Sequence, residues 1–208
     1  MRNIEHVQDP SWFPVDFDVH RREVHFLRVS ERLIEESSFV DSRLDAEFSA
    51  AEIVPLDALP ALSPQPPPVW LWHTSFCGST LLARMLHVAP YLVALREPLL
   101  LRRWSDACRA GQQTQSFQRA LLPWLCRPWA AHGKVLVKPT HAALNIALDL
   151  MAVYPESRGI VLVSSLEDFL VSHLKKTAET LEKIPLLADR ALRASRFIER
   201  LPEAALAP

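Results

Sequence analysis

The residues best suited to chemistry lie in one stretch, VWLWHTSFCGSTLLARML, residues 69–86. VWLWH is a short apolar run that reads as a buried strand. STLLARMLHV reads as a helix with Leu81, Leu82, Met85 and Leu86 on one face. Between them lies a loop with one glycine and hydroxyl side chains, the layout that aims several backbone N–H groups at an anion. Laid on the nucleotide-binding pattern G-x-x-x-x-G-K-[ST], only Gly78 and Thr80 fit; His73 stands for the first glycine and Ser79 for the lysine. Without that lysine, ordinary ATP hydrolysis is disfavoured. Cys77 sits where a helix N-terminus would lower a thiol pKa. No acyl-transfer triad accompanies it, so loop shape or packing is its expected role.

The elements around this loop repeat the strand-helix alternation. YLVAL (91–95), KVLVK (134–138) and GIVLVSS (159–165) read as further strands. Residues 98–130 are helical in pattern, with breaks expected at Gly111 and Pro123. HAALNIALDLMAVY (141–154), LEDFLVSHLKK and TLEKIPLLADRALRASRFIERL complete the set of helices. Such alternation implies an α/β fold, a three-layer parallel sheet covered on both faces, with chemistry at the carboxyl ends of the strands. The proline-rich run at 61–68 divides the chain into a small N-terminal extension (1–60), a linker and a main domain (69–208). In the extension, REVHFLRVS reads as a strand and ERLIEESSF as a helix.

Composition narrows the function classes. A net charge of −1 lacks the bulk field that clamps nucleic acid, so no nucleic-acid partner is expected. Three cysteines without paired spacing point to a reducing compartment and offer no zinc site. The N-terminus has no apolar signal region and no run reaches membrane-spanning length, so a cytoplasmic protein without membrane contact is expected.

HTSFCGSTLLARML, then LREPL, VLVKPT and GIVLVSSLEDFLVSH, resembles the motif order of P-loop sulfotransferases of bacterial type, over residues 69–176. The resemblance implies a P-loop fold and transfer of a sulfuryl group from 3′-phosphoadenosine-5′-phosphosulfate to a small-molecule or glycan hydroxyl or amine, without a metal. It implies that Ser75, Phe76, Cys77, Gly78, Ser79 and Thr80 cradle the 5′-phosphosulfate. A segment of the type R-N-P-x-D-x-x-x-S, here covering Ser164, Asp168 and Ser172, would bind the 3′-phosphate. Phe76 and Ser164 stand where the family carries cations, each worth roughly 1.5 to 3 kcal/mol as a charge-assisted contact. Lys138 offsets part of that loss, since the heparan-sulfate type places a lysine beside the sulfuryl group there; Lys175 and Lys176 are further sources of charge. The family also continues into a glycine- and basic-rich loop that is not found before RFIERLPEAALAP, so an abbreviated member is expected. Glu97 is the first candidate for the base, His141 in the KPTH run the second and His73 the third. Read without the resemblance, the loop is a serine-rich helix start, Glu97 and His141 are helix-start residues, and Lys138 is a strand end in water. Asp168 and Ser172 are then a local pair on one helical face. The alternative functions are a non-catalytic nucleotide-binding or interaction module and a P-loop phosphotransferase.

Overall fold

A computed structural model describes residues 5–41, 51–112 and 114–175. Four short apolar runs form a parallel sheet: β4 (Val69–His73), β5 (Leu92–Arg96), β6 (Lys134–Lys138) and β7 (Arg158–Leu162), in the order β5-β6-β4-β7. Helices flank this sheet, and the architecture is α/β. The alternation of side chains along each strand gives its two faces different partners. Leu71, Ala94 and Leu136 pack beneath helix α2 (Ser79–Met85) through Ala83, Leu82 and Leu86. Trp70, Trp72, Val93, Leu95, Val135 and Val137 point to the opposite side. There they join α3 (Leu99–Arg109), α4 (Gln115–Leu125), a 3-10 turn (His141–Ile146) and α5 (Ala147–Val153) in the larger core.

The described residues before the proline-rich run contribute to that larger core. β1 (Trp12–Asp18), β2 (Glu23–Arg28) and β3 (Glu52–Pro55) form an antiparallel sheet in the order β1-β2-β3. Phe13, Val15, Phe17, Val24 and Phe26 are buried with Trp104, Phe117 and Trp124 of α3 and α4. Arg127 ties the halves together: its guanidinium donates to the carbonyls of Val7, Gln8 and Trp12, and its burial lowers its pKa to about 10. Between β2 and β3 lies helix α1 (Glu31–Glu36), capped by Ser30, whose hydroxyl accepts from the Leu33 amide.

Several expectations need correction. Of the four residues expected on the packed face of α2, Leu82 and Leu86 lie against the sheet with buried Ser79 and Ala83, while Leu81 and Met85 are 65 % and 71 % exposed. Pro123 lies inside α4 and does not break it. The carbonyl it deprives of a donor belongs to exposed Arg119, where water can serve it. Gly111, at φ 78°, does separate α3 from α4. Residues 141–154 begin as a 3-10 turn before becoming α-helical, and the last strand ends at Leu162. β1 and β3 were not expected. A final helix, α6 (Leu166–Leu174), follows β7, and the helix expected beyond it lies outside the described residues. Among the described residues, no helix is long and apolar enough to cross a membrane.

Candidate functional site

β4 ends at His73, and residues 74–78 turn the chain into α2. Phe76 and Gly78 have positive φ, 59° and 79°, which reverses the chain within five residues. The Cys77 thiol donates to the Thr74 carbonyl at 2.9 Å, so it shapes the loop. Gly78 is the N-cap of α2 and no side chain caps the helix there. A Cβ built on Gly78 meets nothing within 4 Å, so the space before the helix is open. Two hydroxyls at the ends of adjacent strands β4 and β7, Thr74 Oγ1 and Ser164 Oγ, are buried without a hydrogen-bond partner. Such orphans mark a place where an absent polar group fits. Ser79 is buried at the helix start, whereas Ser75 and Thr80 are partly exposed.

The second segment meets this loop from α6. The Phe76 ring stands edge-on to His173, at 4.6 Å between centroids, and Phe169 lies 4.2 Å from the same imidazole. Asp168 does not pair with Ser172. Its carboxylate accepts from the Ser165 hydroxyl at 2.7 Å and its amide donates back to that oxygen, a reciprocal cap at the helix start. Ser172 is half-buried on α6, Lys175 is exposed at its end, and Lys176 lies outside the described residues.

Glu97 and Lys138 come together at the carboxyl ends of neighbouring strands β5 and β6. Lys138 Nζ donates to Glu97 Oε1 at 2.6 Å, and the Glu97 amide donates to the Lys138 carbonyl at 2.7 Å. Glu97 has φ 54°, a left-handed conformation that L-residues other than Asn, Asp and Gly seldom adopt. Lys138 is 0 % exposed, so it is not a strand-end lysine in water. The Phe39 ring covers its ammonium, with a centroid distance of 5.8 Å. The loop lies next to this pair: His73 Nε2 is 2.8 Å from the carbonyl of Pro139, the residue after Lys138. His73 Nδ1 is 2.8 Å from the Thr74 carbonyl, so only a protonated ring could donate to both. Burial, and then the Lys138 charge, nevertheless lower its pKa. The ring held neutral in this way donates to one of the two carbonyls, and His73 braces the loop through that bond. His141 is exposed, and its ring is 6.4 Å from that of His73.

Glu97 opens into a cavity of about 310 Å³, walled in part by Asp41, Arg102, Arg103, Asp106 and Thr140. Sequence reasoning missed these residues and Phe39. Residues 37–41 reach the site because the Val40 amide and carbonyl bond the Arg96 carbonyl and the Leu99 amide, across the end of β5. Nothing in the local pattern around Phe39 announces this contact. The arrangement offers a carboxylate facing a cavity, a buried ammonium that fixes it, and an open loop and helix start alongside. Among the described residues, no group of three or more His, Cys, Asp or Glu side chains could hold a metal ion.

No protein-family model, curated protein or solved structure matches the chain.

Proposed function

We propose that the chain is a P-loop sulfotransferase-like domain that moves a sulfuryl group from 3′-phosphoadenosine-5′-phosphosulfate to a hydroxyl. The observation that carries the proposal is Glu97: a carboxylate on strained backbone, fixed by a fully buried lysine and facing a cavity, with His73 at the end of β4 bonded to the residue after that lysine. Strain of this kind persists where the surrounding structure enforces it and clusters at working sites. The loop from Ser75 to Thr80 would hold the phosphosulfate, with the orphaned hydroxyls of Thr74 and Ser164 as added donors. In the transfer, the acceptor oxygen bonds to sulfur as the bond from sulfur to the bridging phosphate oxygen breaks. Adenosine 3′,5′-bisphosphate leaves, and the acceptor proton passes to Glu97. Lys138 is a positioning residue in this reading, because Glu97 and Phe39 cover its ammonium.

The test is calorimetry with adenosine 3′,5′-bisphosphate against ATP with magnesium. The bisphosphate is expected to bind and ATP is not, because Ser79 stands where a phosphotransferase needs lysine. Equal or tighter ATP binding overturns the proposal in favour of a phosphotransferase. A second reading, a nucleotide-binding module without turnover, is favoured by Phe76 and Ser164 standing in place of cations. Tight bisphosphate binding with no transfer across a broad acceptor panel would select it.

A further inference from the structure

We infer that the chain pairs with a second copy of itself about a two-fold axis, α6 lying antiparallel to α6 of the partner with the outer edge of β7 beside it. The two edges of the parallel sheet are finished differently. At β5, residues 37–41 close the strand end through the Val40 amide and carbonyl. At β7, every residue is exposed or half-buried, Val161 to 69 %. Val163, in the turn that follows, is exposed as well. A bare apolar edge of this kind is a template for pairing with another chain. α6 adds an apolar row to it. This helix has nine residues and buries none of them, yet a helix of that length does not hold itself in water, so its persistence requires cover. Leu166, Leu170 and Leu174 recur every four residues and share a face, with Leu166 73 % and Leu170 49 % exposed. The adjacent row carries Phe169 and His173, and His173 meets Phe76 of the β4 loop.

The ends of α6 decide which partner fits. Glu167 lies in its first turn and Lys175 is its C-cap residue; both are exposed, and among the described residues neither makes an ion pair. A parallel copy would set like charges opposite each other at both ends. An antiparallel copy centred on Val171 sets Glu167 opposite Lys175 of the partner subunit, and the two-fold axis repeats the pair, as a self-complementary patch requires. It also lays the two helix dipoles against each other with opposite ends adjacent. The same register keeps Leu170 next to the axis. The leucine row supplies apolar contact, and the charges fix its direction. At 1.5 Å per residue α6 is about 13 Å long, so even with the β7 edge the contact is small; a dimer that dissociates in the micromolar range is expected.

The test is sedimentation velocity of the full chain at low salt, from about 1 to about 200 μM, with hydrogen exchange at both ends of that range. The parent is expected to pass from monomer to dimer, and the amides of residues 158–174 to exchange more slowly at the high concentration while those of β5 do not change. Leu170→Glu, at a half-exposed position, should keep the thermal midpoint of the monomer and abolish the dimer. Glu167→Lys and Lys175→Glu should each weaken self-association by at least roughly fivefold. An equimolar mixture of these two variants should form a heterodimer tighter than either homodimer, because both cross-pairs are then of opposite sign. A parent that stays monomeric overturns the inference, also where its α6 amides are protected at every concentration, since the cover then comes from within one chain. A dimer that Leu170→Glu leaves intact overturns it too, because another surface then carries it. A mixture no tighter than its components overturns the antiparallel arrangement.

Discussion

Glu97 combines two opposing energies, and their magnitudes predict how it responds to substitution. Its left-handed backbone costs roughly 1 to 2 kcal/mol, which glycine would recover. Its carboxylate, however, compensates the buried Lys138 ammonium, and removing one partner of a buried pair costs roughly 3 to 5 kcal/mol. Glu97→Gly is therefore expected to lower the thermal midpoint, and Glu97→Gly with Lys138→Met to recover most of the loss. A single variant as stable as the parent would mean that the pair contributes no more than the backbone strain it offsets. For function, Glu97→Gln should leave bisphosphate affinity within a few-fold and lower turnover by roughly 10²- to 10⁴-fold, the range for a lost general base. His73 and His87 predict a pH dependence. Burial depresses both below 6.5, with Lys138 adding to the effect at His73 and Arg96 at His87. The His87 ring accepts the Ala94 amide, a bond that requires an unprotonated Nδ1. Because the unfolded chain takes up these protons first, their contribution is complete above about pH 6.5 and is lost as the pH falls through the depressed values. Urea denaturation should show lower stability at pH 5.5 than at 7.5, with a smaller difference in His73→Gln. The lowered carboxylates Asp9, Asp18 and Asp57 act at lower pH, outside this window. Equal stability at both pH values would rule out the neutral, buried state of these rings.

Helix α1 has only six residues, too few to hold itself in water, so its persistence needs an external clamp. Arg96 supplies it. Its buried guanidinium donates to the carbonyls of Ile34, Glu35 and Ser37, closing the end of the helix where the macrodipole favours a cation. Lysine is shorter and has one nitrogen where Arg96 uses Nη2 for the helix end and Nη1 for the Ala94 carbonyl, so Arg96→Lys is expected to speed amide exchange through residues 30–40 and cost roughly 2 to 3 kcal/mol. Phe39 and Asp41 follow directly, so the same variant should weaken ligand binding at the Glu97 cavity; unchanged exchange in α1 would refute the clamp. Sequence legibility differed sharply between elements. β4, β5 and β6 are legible because burial on both faces requires continuous apolar runs such as VLV, whereas β7 keeps an apolar run although it is an exposed edge strand, so the sheet is not covered on both faces there. β1 escaped notice because Pro14 and two aspartates interrupt WFPVDFD, although it is an edge strand, where proline is tolerated, and it carries a bulge between Pro14 and Asp16. On α2 the apolar pattern places Leu82 and Leu86 correctly, but Ser79 and Ala83 are small enough to seat the helix close to the sheet, and that shifts the packed face away from Leu81 and Met85. The loop and the Glu97 and Lys138 positions were legible as strand ends. Their pairing, and the wall built by Phe39 and Asp41, depend on contacts about forty to a hundred residues apart that no local pattern encodes.

At the scale of the whole molecule, the proline-rich stretch suggests a boundary, yet the buried side chains run continuously across it. Phe17 lies against both Trp104 and Phe117, Phe26 meets Trp124 edge-on at 5.5 Å, and Arg127 grips three carbonyls of the N-terminal segment. Buried aromatic contacts of this number couple the two sheets thermodynamically, since neither can separate without exposing the other's side chains to water. One cooperative unfolding transition is therefore expected. Hydrogen exchange of β2 amides and β6 amides should report the same opening free energy, and Phe26→Ala, at a cost of roughly 3 to 5 kcal/mol, should lower both together. The function depends on the same coupling. The N-terminal segment supplies Asp41 to the cavity at Glu97, while the end of the parallel sheet supplies Glu97 itself. Phe26 does not line the cavity at Glu97, so a drop in adenosine 3′,5′-bisphosphate affinity in Phe26→Ala at temperatures well below its unfolding would show that the packing between the sheets sets the site. Two separate transitions, with the β6 amides protected after the β2 amides have exchanged, would show instead that the sheets are independent and that the cavity at Glu97, walled by both, lies on a hinge.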